Sequence, residues 1–242
     1  MSIFRTIALF VYLFGYMIVH YSVLCKAERA LAAGDTETVR QLVKKHIPHW
    51  SKGILNVTGV RLSVEGLDNI PKDGPCVFVA NHRSYYDIPL LLAGLDEPYG
   101  ILAKEELGKI PLLNRWMKLL GCVFVQRDDV RASVRALNDA TAIVESGRSF
   151  IIFPEGTRSR GEQVGPFKTG AFRAASKAKV PIVPLCISGS YKVMEAHGFW
   201  IHPATVRIKF LPPVHTAQLD REALKDLDTH IRQLIVEEKA KM

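Results

Sequence analysis

The chain has 242 residues, 48% of them hydrophobic and 23% charged, with 32 Lys and Arg against 24 Asp and Glu for a net charge of +8. That length suits one medium domain, or a domain with a small appendage, and the apolar content excludes an intrinsically disordered chain. Charges recurring through most of the sequence exclude a polytopic membrane protein. The basic balance points to an anionic partner: nucleic acid, an anionic membrane surface or a phosphorylated substrate.

From the N-terminus, the twenty residues Thr6 to Cys25 contain no Lys, Arg, Asp or Glu. As a helix they would span about 30 Å, the thickness of a bilayer's hydrocarbon core. Phe10, Tyr12, Phe14, Tyr16 and Tyr21 add aromatics that favour membrane interfaces. Ala30-Leu31-Ala32 resembles a signal-cleavage site, but Lys26, Glu28 and Arg29 separate it from the apolar run. The run reads as a membrane anchor, spanning or held in one leaflet. Arg5 alone precedes it, whereas Lys26, Arg29, Arg40, Lys44 and Lys45 follow, so positive-inside logic places the bulk of the chain on the cytoplasmic side of an inner membrane. Residues 26–50 read as helix, interrupted at Gly34 and ended by Pro48. The expected organisation is a two-helix membrane-anchoring segment over 1–50 and an α/β domain over 51–242.

Beyond residue 54 short apolar runs alternate with helical stretches. Candidate strands cover 54–66, 76–80, 99–103, 122–125, 149–153, 181–187 and 205–210, and candidate helices 88–95, 110–119, 130–147 and 168–178. The alternation predicts an α/β fold with a mixed central sheet covered by helices. A closing helix is expected over 217–240, with Leu224, Leu227, Ile231, Leu234 and Ile235 on one side. Cys25, Cys76, Cys122 and Cys186 form no CxxC pair, and three of them sit in apolar runs, which reads as free thiols in a reducing compartment.

Directly after the strand CVFVA comes Asn81-His82-Arg83-Ser84-Tyr85-Tyr86-Asp87. With His82 in the turn and Asp87 in the first helical turn, the two side chains can meet. The carboxylate would then fix the imidazole's tautomer and leave the second ring nitrogen as a base. Ser84-x-x-Asp87 also fits a helix cap, and these residues alone leave both readings open. A second cluster, Phe153-Pro154-Glu155-Gly156-Thr157-Arg158-Ser159-Arg160, follows another apolar strand. Gly156 permits a tight turn, and arginine can grip a phosphate monoester with a bidentate fork. Residues 155–179 hold six Lys or Arg and two Glu, half of the chain's net charge in twenty-five residues.

Here the sequence resembles the lysophospholipid acyltransferase family, specifically its 1-acyl-sn-glycerol-3-phosphate acyltransferases. Four ordered motifs carry the resemblance. NHRSYYD (81–87) is similar to the family's His-x4-Asp block, and KEELGKIPLLNRWMKLLGCVFVQR (104–127) to its second. FPEGTRS (153–159) is similar to the third and VPIVPLCISGS (180–190) to the fourth. Asn114 and Gln126 depart from the second block, where glycine and aspartate are usual.

The resemblance implies catalytic His82 and Asp87, with Lys104, Arg127, Glu155, Gly156, Thr157 and Arg158 holding the acceptor's phosphate. It implies transfer of a fatty acyl group from acyl-CoA or acyl carrier protein to the sn-2 hydroxyl of lysophosphatidic acid. Glycerol 3-phosphate or another lysolipid is the alternative acceptor, and a non-catalytic peripheral lipid-binding module the alternative class. No cofactor or metal is expected, since the sequence has neither HExxH nor GxSxG. Backbone amides near Arg83 or Gly156 are the candidate oxyanion donors. The expected partners are a phospholipid membrane, the lysophospholipid and the acyl donor. Nucleic acid is not among them, because the basic residues are not interleaved with stacking aromatics.

Overall fold

A computed structural model describes residues 1–242 except 96, 127, 160 and 162. The chain opens with three helices, α1 (Ser2–Val19), α2 (Tyr21–Ala32) and α3 (Thr36–Thr58). The uncharged run is therefore two helices, not one, with the break at His20, whose backbone leaves helical geometry (φ −94°, ψ 21°). Gly34 ends α2 in the left-handed region (φ 76°), and the Asp35 carboxylate accepts from Thr38 N at 3.0 Å to start α3.

Two expectations fail on α3. Pro48 does not end it, and residues 54–58 continue it rather than opening a strand. An internal proline costs about 3 kcal/mol. That is outweighed because Val43, Ile47, Ile54 and Leu55 are all buried, at roughly 1.5–3 kcal/mol for each such side chain. The 54–58 run is apolar at helical spacing, and a short apolar run does not reveal its own period. Gly59 then closes the helix in the left-handed region (φ 74°). The boundary expected at residue 50 falls inside α3.

The sheet strands are β1 (Arg61–Glu65), β2 (Val77–Ala80), β3 (Gly100–Lys104), β4 (Val123–Val125), β5 (Phe150–Ile152), β6 (Pro181–Ser188), β7 (Thr205–Phe210) and β8 (Val214–His215). Their order is β1-β7-β6-β2-β5-β3-β4, with β8 pairing β6. Strands β6, β2, β5, β3 and β4 run parallel, whereas β7 and β8 lie antiparallel to β6, so the sheet is mixed as expected. Helices α4 (Asp87–Gly94), α5 (Leu113–Leu120), α6 (Val130–Glu145), α7 (Arg173–Ala178), α8 (Arg221–Lys225) and α9 (Leu227–Ala240) complete the chain. The closing helix expected over 217–240 is divided at Asp226, and Asp220 caps α8 by accepting from Glu222 N and Ala223 N.

Alternation in the strands builds two cores. Phe78 and Ala80 of β2 pack on the side of α1–α5, and Val77 and Val79 on the side of α6, α7 and α9. The N-terminal helices share the first of these cores: Leu9, Met17, Leu24 and Ala27 are buried in it beside α3. Helix α1 lies antiparallel along α3, with the Tyr16 hydroxyl at His46, Tyr12 over Gly53 and Arg5 near Gly59. A Cβ on Gly53 would sit 1.8 Å from the Tyr12 hydroxyl oxygen, so this close approach depends on glycine. On α2, Glu28 pairs with Arg115 of α5 and ties the pair of helices to the domain.

Strands β2, β5, β3 and β4 end at the same edge of the sheet, and the loops leaving that edge carry the residues singled out above. Asn81 joins β2 to β6 there: its Nδ2 donates to Ile187 O at 2.9 Å, and its Oδ1 accepts from Ile187 N at 2.8 Å. Asn81→Ala leaves both buried peptide groups unpaired and should lower stability by about 2–4 kcal/mol, measured by denaturant unfolding. A loss below about 1 kcal/mol would show that the strand ends do not need this bridge.

Candidate active site

The turn between β2 and α4 is organised by the carboxylate of Asp87, the first residue of α4 and completely buried. Its Oδ2 accepts from His82 Nδ1 at 2.9 Å, Arg83 N at 2.7 Å and Ser84 N at 2.9 Å. Helix α4 starts with no side-chain cap bond, and the aspartate instead folds the turn ahead of it and orients the imidazole. The proton is fixed on Nδ1, since a carboxylate can only accept. Nε2 has no hydrogen-bond partner among the described residues and is the basic edge of the ring. The ring stacks on Phe153, with centroids 4.2 Å apart.

The peptide of His82 is held by the loop after β5. His82 N donates to Glu155 Oε1 at 2.6 Å, and Ser159 N donates to His82 O at 2.8 Å. The other oxygen of Glu155 accepts from Gly165 N at 2.9 Å, where a Cβ would stand within 2.9 Å of it. Burial pushes the Glu155 carboxyl above its ordinary range, opposed by these two amides and by His82. Glu155 therefore braces the histidine loop from within. A buried carboxylate with an amide on each oxygen is poorly suited to holding a phosphate, the part expected of it.

Gly156 takes the left-handed conformation (φ 70°) that the turn needs, and Thr157 is exposed beside it. The Lys168 ammonium lies over Gly156, 2.9 Å from where a Cβ would be, and adds a cation that the motifs did not single out. Arg158 lays its guanidinium on the Tyr85 ring, 3.4 Å from the centroid, and its Nη1 donates to Glu195 Oε1 at 2.9 Å. His82, Asp87, Glu155, Gly156 and Arg158 are thereby brought together on two interlocked loops. Lys104 is not: it ends β3, two strands from β2, is exposed, and pairs with Glu106 at 2.7 Å. Arg127 lies outside the described residues.

Of the amides near Arg83 and Gly156 expected as oxyanion donors, those of the two residues themselves are engaged, Arg83 N on Asp87 and Gly156 N on Phe153 O at 3.1 Å. Neither Cys76 nor Cys186 offers a nucleophile, since burial pushes their thiols up to about 11 and about 12. Glu195 stands in none of the four motifs. Its only signal in the sequence is that no other Asp or Glu lies between Glu162 and Asp220.

With this geometry in view, the sequence matches the family described as Acyltransferase over residues 61–188. A chloroplastic 1-acyl-sn-glycerol-3-phosphate acyltransferase of Brassica napus is 37% identical over 163 residues, 66% of this chain and 47% of the relative. A 1-acyl-sn-glycerol-3-phosphate acyltransferase of Borreliella burgdorferi is 30% identical over 180 residues, 74% of this chain and 72% of the relative. The match thus spans about half the length of the plant protein and most of the bacterial one. The crystal structure of the 1-acyl-sn-glycerophosphate (LPA) acyltransferase PlsC from Thermotoga maritima superposes with a TM-score of 0.84 at 29% identity, covering 100% of this chain and 97% of that one. The chain belongs to the acyltransferase family that these proteins represent.

Proposed function

We propose that the chain transfers a fatty acyl group from an acyl thioester, acyl-CoA or acyl carrier protein, to the sn-2 hydroxyl of lysophosphatidic acid, giving phosphatidic acid. The observation that carries this reading is the buried His82–Asp87 pair set beside Arg158 on one pair of interlocked loops. His82 Nε2 takes the hydroxyl proton as the oxygen attacks the thioester carbonyl. The tetrahedral oxyanion collapses, the C–S bond breaks, and the imidazolium returns its proton to the departing thiolate. Asp87 stabilises the imidazolium throughout. General-base assistance of this kind contributes about 10²- to 10⁴-fold.

Arg158 and Lys168 hold the acceptor's phosphate and so place its hydroxyl at Nε2. Lys104, further along the strand ends, extends the basic rim, and Arg127 keeps the role that the motif gives it. The names of the relatives favour lysophosphatidic acid over glycerol 3-phosphate as acceptor.

A bilayer is the natural source of such an acceptor, because drawing an acyl chain into water costs about 0.8 kcal/mol per CH₂. Helix α1 presents Phe4, Ile7, Phe10, Val11, Phe14 and Ile18 to the outside at helical spacing. Burying them would contribute on the order of 10 kcal/mol in gross terms, enough to hold the protein at a membrane. Seating in one leaflet fits better than spanning. Along α1 lies the second part of α3, which carries Lys45 and Lys52, and crossing would draw charge into hydrocarbon at roughly 2.5–3.5 kcal/mol for each central residue. The flanking lysines and arginines favour the cytoplasmic leaflet.

The function is tested by offering labelled acyl-CoA and acyl carrier protein thioesters to the protein in liposomes with four acceptors. These are lysophosphatidic acid, glycerol 3-phosphate, lysophosphatidylcholine and monoacylglycerol. Phosphatidic acid should form fastest, with acceptors lacking a phosphate monoester slower by at least about tenfold. Equal rates on all four, or no transfer to any, would refute the assignment. For the membrane seat, replacing Phe4, Phe10 and Phe14 together by Ser should cut co-sedimentation with anionic vesicles by at least about tenfold. Unchanged co-sedimentation would show that α1 is not the contact.

A further inference from the structure

Glu195 lies beyond the fourth motif, in a short turn (Glu195–His197) after β6, yet its carboxylate reaches into the site. Oε1 accepts from Arg158 Nη1 at 2.9 Å and from Tyr85 N at 2.9 Å, and Oε2 accepts from the Ser84 hydroxyl at 2.6 Å. Its side chain is 6% exposed and that of Arg158 14%. We propose that Glu195 is a positioning residue that presets the Arg158 guanidinium to receive the acceptor's phosphate. The proposal rests on the reading above, in which Arg158 meets that phosphate.

The geometry separates two edges of the arginine. One face lies on Tyr85 and Nη1 is tied to Glu195, which itself is anchored to the turn that carries His82. Swivelling of a long side chain is thereby lost in the free protein rather than on binding, which is the advantage of preorganisation. Nε and Nη2 have no hydrogen-bond partner among the described residues and remain for a ligand. A carboxylate so near a phosphate site repels the incoming anion. Its placement is therefore explained by orientation rather than by attraction, and the distance from phosphate to His82 is fixed through the shared Ser84–Tyr85 anchor. Glu195 touches neither substrate nor reacting atoms in this scheme.

Four variants in liposomes test it, with the Michaelis constants for lysophosphatidic acid and acyl donor, kcat and Tm read for each: Glu195→Ala, Glu195→Gln, Arg158→Ala and the Arg158→Ala/Glu195→Ala pair. Glu195→Ala should raise the constant for lysophosphatidic acid at least about tenfold and leave that for the donor within about twofold. Glu195→Gln should recover most of the loss. Its carbonyl oxygen can accept from Arg158 and Tyr85 while its amide donates to Ser84, and the same recovery is read from this variant if Glu195→Ala does not fold. In the Arg158→Ala background, Glu195→Ala should add less than about twofold. Equal effects on both substrates, a full additive loss in the pair, or a glutamine variant as impaired as alanine would overturn the proposal and leave Glu195 a loop staple. An unchanged lysophosphatidic acid constant in Arg158→Ala alone would instead remove the phosphate reading, and this proposal with it.

Discussion

One oxygen governs the site. Asp87 Oδ2 collects an imidazole N–H and two successive peptide N–H groups inside a fully buried turn. A carboxylate desolvated to that degree is tolerable only when its charge is met by several donors, and the donors available are those of residues 82–84. The turn therefore has little choice of conformation. Closing it around Asp87 puts His82 at the mouth of the sheet, fixes its tautomer and starts α4 in the same step. Around this knot the neighbouring ties are consistent: Asn81 fastens the strand below, while Glu155 and Ser159 hold the His82 peptide from the adjacent loop. Of the two imidazole nitrogens of His82, the outer one stays uncommitted among the described residues.

The distribution of charge and apolar surface suits the proposed chemistry at an interface. Asp87, Glu155 and Glu195 are turned inward on backbone amides or on Arg158, whereas Lys168 is left facing outward beside Gly156. Half of the net charge of +8 falls in residues 155–179, on and after the loop that carries Arg158. The apolar excess is likewise local, gathered on the outer stripe of α1. Because α1 is docked antiparallel along α3, and α3 is part of the sheet's own core, the proposed membrane contact and the site belong to one body.

Features that repeat or follow a period were legible in the sequence. The strand–helix alternation gave the mixed sheet and its two covering layers. The His-x4-Asp and Phe-Pro-Glu-Gly-Thr-Arg blocks marked the loops that meet. What was not legible depended on competition between local and tertiary forces. Pro48 and residues 54–58 stay helical because burial on one face outweighs local preference, and His20 divides a run that composition alone treats as continuous. The inward part played by Glu155 could not be foreseen, since a motif names a residue but not the direction its carboxylate faces. Glu195 stood in no motif, and only the fold brings it against Arg158 from beyond β6.

In the proposed reaction His82, held by Asp87, is the general base for the acceptor hydroxyl, and no side chain of the protein becomes acylated. The most direct measurement is the rate of phosphatidic acid formation by His82→Ala in liposomes, with Tm and vesicle binding recorded on the same preparation. The rate should fall by about 10²- to 10⁴-fold while Tm and binding hold. A variant that keeps more than about a tenth of the wild-type rate would contradict the mechanism.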